Sequence, residues 1–84
     1  MSKTITKAEV FDIVKNNILE ILPKIPPEMI SIEKSLSDLG ANSVDRMDVV
    51  IMSMEDLGVK IPLISFAGVA NIEGLVDVLF NNAQ

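Results

Sequence analysis

Three stretches of the chain repeat apolar residues at helical spacing. In the first, Val10, Phe11, Val14, Ile18, Ile21 and Leu22 fall on one stripe, because residues three and four apart lie above one another on a helix. Thr6-Lys7-Ala8-Glu9 precedes it. In this capping-box pattern a hydroxyl and a carboxylate three residues apart each satisfy the other's backbone N–H. Pro23 then stops the run, since it has no N–H to donate. A helix is predicted over 7–22.

The second run follows Gly40. Asn42 or Ser43 serves as its N-cap, and Asp45 puts negative charge in the first turn, where the helix dipole favours it. Met47, Val50, Ile51, Met54 and Leu57 form the expected buried stripe, and Gly58 supplies the stop. Val44, Val49 and Met52 fall outside that stripe. This helix is therefore apolar over more of its circumference than a surface helix requires. The third run, predicted over 72–81, starts after Asn71 and turns Ile72, Leu75, Val76 and Leu79 inward, with Asn81 and Asn82 fraying its end.

The connections have their own pattern. Residues 23–42 carry Pro23, Pro26 and Pro27, but also Ile25, Met29, Ile30, Ile32, Leu36 and Leu39. Such a stretch reads as an ordered crossover lying across the core, with room for a helical turn. Pro62 ends the segment 59–61, and 65–69 has the composition of one short turn. No repeat and no β-alternation of useful length appears. The expected fold is all-α: a bundle of three main helices and one short one, with a long ordered loop between the first two. The chain of 84 residues has room for a single domain, 1–84.

Composition narrows the chemistry. Apolar residues are 49% and charged residues 23%, a globular balance. There is no Cys, so no disulfide, thiolate nucleophile or Cys-ligated metal. There is no His, the commonest general base and metal ligand. An acidic chain with one Arg and three Phe is poorly suited to nucleic acid. The longest strictly apolar run, Val49-Val50-Ile51-Met52, is far too short to span a bilayer. Residues 1–30 lack the basic start and apolar region of a secretory signal, so a cytoplasmic protein is expected. The formal charge of -5 falls unevenly. Residues 1–34 balance five Lys against five acids, whereas residues 35–84 set Arg46 and Lys60 against seven acids. Such a field speeds encounter with basic partners, and it also serves as an ordinary solubilising face.

Catalysis finds little support. A serine nucleophile needs a neighbouring base, and no His is present. The acid pairs Asp45/Asp48 and Glu55/Asp56 read as a solvated face rather than an acid–base pair, and they lack the pattern of a calcium loop. No metal site and no catalytic residue is expected. Ser43, at the start of the second helix, stands apart. Its ordinary role there is an N-cap. The alternative is covalent modification, because a phosphate ester at that point would sit where helix N-termini favour anions.

At this stretch the chain resembles a known family. Asp38-Leu39-Gly40-Ala41-Asn42-Ser43-Val44-Asp45 is similar to the phosphopantetheine-attachment motif of acyl carrier proteins, Asp-Leu-Gly-x-Asp-Ser-Leu-Asp/Glu. Without gaps, Glu55-Asp56-Leu57-Gly58-Val59-Lys60-Ile61-Pro62 resembles the end of that family's second helix and its following loop. The likeness covers essentially the whole chain. It implies that Ser43 carries a 4′-phosphopantetheine arm, attached from coenzyme A by a phosphopantetheinyl transferase, whose thiol holds acyl groups as thioesters. The chemical poverty of the chain then makes sense, because the reactive sulfur belongs to the prosthetic group. The resemblance also implies a partner surface on the second helix, formed by Asn42, Val44, Asp45, Arg46, Met47, Asp48 and Ile51.

The sequence departs from the family pattern in four places. Asn42 stands for the usual Asp and Val44 for the usual Leu; Arg46 puts a cation where fatty-acid carriers are neutral; and the segment 63–69 is apolar where those carriers are acidic. The run 41–48 looks more like the discrete donor carriers of polyketide β-branching cassettes. Those deliver an acetyl group to a hydroxymethylglutaryl-synthase-like enzyme, after loading by a ketosynthase-like decarboxylase or an acyltransferase. Arg46 and Phe66 are then candidates for partner selectivity, with core packing the plainer role for Phe66. The other readings are a carrier for fatty-acid, other polyketide or nonribosomal acyl groups, or a non-covalent helical interaction module. A monomer contacting neither nucleic acid nor membrane is expected.

Overall fold

The computed structural model describes residues 5–83, so Lys3, counted above in the charge of the first half, lies outside it. The described residues form helix α1, Lys7–Ile21; helix α2, Ser43–Leu57; and helix α3, Ile72–Ala83. Two 3₁₀ turns, Pro27–Met29 and Leu63–Phe66, lie in the connections. No strand occurs among the described residues, and none of their helices is long and apolar enough to cross a membrane. The all-α expectation holds.

Local signals account for most boundaries. Thr6 caps α1 through its expected box, with the Glu9 amide donating to the Thr6 hydroxyl at 3.2 Å and the Thr6 amide to the Glu9 carboxylate at 2.9 Å. Gly58 ends α2 in the left-handed conformation, φ 68°, which a Cβ would strain. In α3 the Asn71 side chain accepts from the Gly74 amide at 2.9 Å. The crossover supplies two further partners for that end. Carbonyls of Lys34 and Ile32 accept from the amides of Ile72 and Glu73 at 2.8 and 2.9 Å, so a loop satisfies donors that a helix leaves open. Three boundaries differ from the sequence reading. The second short turn begins directly after Pro62, which fixes its first backbone angle, rather than at 65. The first helix stops one residue early, at Ile21. Helix α3 runs to Ala83 rather than fraying at 81, with Asn82 Nδ2 donating to the Val78 carbonyl at 2.8 Å.

The core gathers Val10, Val14 and Ile18 of α1, Val49 and Val50 of α2, and Ile72, Leu75, Val76 and Leu79 of α3. From the connections come Ile30, Leu39 and Ile61. The stripe of α3 is as expected. In α1, Phe11, Ile21 and Leu22 are only half-buried, and in the crossover Met29 and Ile32 are exposed. The rotation of α2 differs most. Val49 is fully buried and Ser53 with it, whereas Met47 is 49% and Ile51 37% exposed, and Met54 and Leu57 are half-buried. The face that meets α1 carries small and β-branched residues, which let the two helices pack closely. The bulkier Met47 and Ile51 lie on the flank.

That choice of face is tied to a buried polar link which sequence reasoning missed. Asn17 Nδ2 donates to Ser53 Oγ at 3.0 Å and to an Asp56 carboxylate oxygen at 3.1 Å. Both Asn17 and Ser53 are buried, and no buried side-chain polar atom among the described residues lacks a partner. Asn17→Ala is expected to cost about 1–3 kcal/mol, because Ser53 loses a donor in a place water does not reach. Urea unfolding monitored by circular dichroism measures this. At the surface, Lys7 pairs with Asp77 at 2.8 Å beside the Phe80 ring, 5.6 Å from its centroid. The Asp77 carboxylate raises the Lys7 pKa, but so exposed a pair contributes little to stability.

Candidate functional site

The loop before α2 sets Ser43 in place. Gly40 has φ 93°, a backbone angle open to glycine, and an added Cβ would meet nothing within 4 Å. The glycine is therefore required by conformation and not by space. On either side Leu39 and Ala41 are buried and anchor the loop to the core. The Ala41 amide donates to the Leu36 carbonyl at 3.0 Å. Ser35 and Asp38 close a reciprocal ring upstream, with the Ser35 amide donating to the Asp38 carboxylate at 3.1 Å and the Asp38 amide to Ser35 Oγ at 3.0 Å. The backbone hydrogen bond from Ser35 holds the Asp38 pKa below the usual carboxylate value. The pattern Ser-x-x-Asp is the sequence signal for this ring.

The cap of α2 is Asn42. Its side-chain oxygen accepts from the Asp45 amide at 2.8 Å, and the Asp45 carboxylate accepts from the Asn42 amide at 3.3 Å. The substitution of Asn for the usual Asp thus keeps the capping function. With residue 42 as the cap, Ser43 is the first residue of the helix, exposed to solvent. The Ser43 hydroxyl makes a different contact. Arg46 Nη2 donates to Ser43 Oγ at 3.2 Å, and Arg46 Nη1 to Ser37 Oγ at 3.2 Å. Ser37 carries no signal in the sequence, because its approach depends on the turn at Gly40.

Beside this hydroxyl lies a cleft of about 450 Å³ between α2 and the 63–71 segment. Ser43, Arg46, Met47 and Val50 line one side, and Leu63, Phe66 and Val69 the other. Residues 43, 46, 47 and 50 share a helical face, so Ser43 stands over the mouth of the cleft. Phe66 is half-buried there, packed against the core. The remaining residues of the predicted surface run along the outer side of α2. Val44 is 67% exposed, and Asp48 and Ile51 are exposed, as is Met47. Asp45 is only half-buried and engaged in the cap, which corrects the expectation of a free, exposed acid. Among the described residues no acid cluster could hold a metal ion.

The residues present fit a phosphopantetheine arm: a solvent-facing hydroxyl free of capping duty, a guanidinium within hydrogen-bond reach, and an adjoining apolar cleft. The family model described as "Phosphopantetheine attachment site" matches residues 12–79. The chain belongs to the acyl carrier family. Polyketide biosynthesis acyl-carrier-protein AcpK of Bacillus subtilis (strain 168) is 41% identical over 78 residues, covering 93% of this chain and 95% of that protein. No solved structure matches. The prosthetic group of this carrier is covalent 4′-phosphopantetheine. As a carrier and not an enzyme, it needs no catalytic side chains of its own, in keeping with the missing His and Cys. A carrier of this kind works with a phosphopantetheinyl transferase and with acyl-handling enzymes.

Proposed function

We propose that residues 1–84 act as one carrier domain that presents an acetyl group from Ser43 to a hydroxymethylglutaryl-synthase-like enzyme during polyketide β-branching. The observation that carries this reading is the site itself: an exposed serine that does not cap its helix, bonded by a guanidinium and beside an apolar cleft. When bound, 4′-phosphopantetheine supplies the thiol that holds the acyl group as a thioester. The similarity to a carrier named for polyketide biosynthesis supports the pathway class. The exposed apolar Leu63 and Ile64 set this chain apart from carriers with an acidic segment there. We assign it to the cytoplasm, where coenzyme A is available for loading.

The chain's own residues have distinct tasks in this reading. Asn42 fixes the start of α2 and so the position of the hydroxyl. Val44, Met47 and Ile51 enter apolar depressions on a partner, with the exposed Asp48 meeting a basic group beside them. A small apolar centre with a charged rim suits a complex that must form and separate quickly. Arg46 and Phe66, on either side of the cleft, tune which partner is served.

The test is competitive acetyl transfer. The acetyl-loaded protein and an acetyl-loaded fatty-acid carrier are offered to a β-branching synthase, and faster transfer from this protein is expected. Equal or slower transfer removes the donor assignment and leaves a general acyl carrier. Asp48→Lys in the same assay is expected to lower kcat/KM about tenfold with helicity unchanged, because reversing a rim charge acts on encounter and not on fold. Asp45→Lys is a poorer probe, since it also breaks the cap.

A further inference from the structure

Arg46 is the only arginine in the chain, and its placement goes beyond a surface charge. It sits one turn into α2, yet its side chain reaches back to span two hydroxyls, Ser43 and Ser37, each at 3.2 Å. Both contacts use separate terminal nitrogens of one planar fork. Transfer from coenzyme A breaks its pyrophosphate linkage, releases adenosine 3′,5′-bisphosphate and the Ser43 hydroxyl proton, and leaves on the same oxygen a phosphodiester whose single negative charge is shared by two non-bridging oxygens. A guanidinium already within hydrogen-bond distance of that atom then faces an anion rather than a neutral hydroxyl, and charge-assisted bonds of this kind are the stronger ones. The Ser37 hydroxyl, held by the neighbouring nitrogen, stands ready as a further donor on the loop side.

Resting on attachment at Ser43, we propose that Arg46, steadied by Ser37, is the seat of the arm's phosphodiester and holds the root of the arm over the cleft between α2 and the 63–71 segment. Arg46 and Ser37 both line that cleft, as does Ser43, whereas Val44 and Asp48 do not. A phosphate drawn to Arg46 therefore starts the arm toward the cleft side of α2, away from the outer face that carries Val44 and Asp48. Arg46 is a positioning residue in this scheme, and Ser43 stays available for modification without it, because Asn42 alone caps the helix.

The single arginine makes the test direct, since one arginine Nε–Hε signal is expected in a nitrogen-15 spectrum. The protein is loaded with coenzyme A and a transferase, and the mass is checked first; a missing mass gain overturns attachment itself. In loaded protein the Arg46 Nε–Hε signal is expected to move and to exchange more slowly with water than in the unloaded form. The phosphorus-31 resonance of the arm is expected to differ from that of the same loaded chain unfolded in urea. In loaded Arg46→Gln it should move to the urea value, and Ser37→Ala should move it part of the way. If the mass gain is present but the arginine signal stays unmoved and the phosphorus resonance is the same in wild type, Arg46→Gln and urea, the seat is overturned while attachment stands.

Discussion

Ser43→Ala is expected to gain no mass when incubated with coenzyme A and a broad-specificity phosphopantetheinyl transferase, while the wild-type chain gains one phosphopantetheinyl group. The effect is all-or-none, because the substitution deletes the one atom to which the arm is joined. The same variant is expected to melt within a few degrees of wild type. Had Ser43 been the cap of α2, its loss would cost about 0.5–2 kcal/mol. The cap is instead Asn42, bonded to the Asp45 amide at 2.8 Å, and a substitution at an exposed position outside such a contact changes stability by roughly 0.5 kcal/mol or less. Loading by mass spectrometry and melting by circular dichroism thus separate the two roles a serine can have at a helix start. Loss of both together would mean that the hydroxyl supports the fold. Loading of the alanine variant would move the attachment point elsewhere and end the carrier reading of this hydroxyl.

The site is largely legible in the amino-acid sequence, because its parts are contiguous. Asp38 to Asp45 lie next to one another in the chain, and local rules for glycine, capping and helix starts place them without knowledge of distant contacts. Helix α3 is legible for a similar reason: Ile72, Leu75, Val76 and Leu79 form one unbroken stripe. What stays hidden depends on residues far apart in sequence. The contact of Arg46 with Ser37 needs the turn at Gly40 to bring the loop back over α2. Asn17 looks like an ordinary polar residue until Ser53 and Asp56 arrive opposite it. The rotation of α2 is misread from sequence because the arc that carries Asp45, Arg46, Asp48, Ser53, Glu55 and Asp56 also carries Val49, and the core takes Val49 and Ser53 from that arc while Met47 and Ile51 of the apolar stripe stay exposed. Here the excess of apolar residues reflects two uses, a core face toward α1 and an uncovered flank beside Ser43.

That division yields the second large effect. Val49→Asp is expected to lower the melting temperature by about 15–30 °C, whereas Met47→Asp, two residues away, is expected to leave it within a few degrees. Val49 is 0% exposed and packs in a cluster of apolar residues, so an aspartate there buries a carboxylate among them; Arg46 is engaged by Ser37 and Ser43, and Lys7 by Asp77. Burying an unpaired charge costs on the order of 4 kcal/mol. For a domain of this size each kcal/mol moves the melting point by about 4–8 °C. Total stability for such a chain is roughly 4–13 kcal/mol, at about 0.05–0.15 kcal/mol per residue, so this one change removes a third or more of it. Met54→Asp falls between the two, since Met54 is half-buried against the same cluster. Thermal melts of the three variants therefore read out the rotation of α2 directly. A large loss at Met47 with little at Val49 would mean that α2 is turned about its axis by roughly a third of a circle. It would carry Met47 and Ile51 into the core and leave no apolar flank beside Ser43 for a partner to bind.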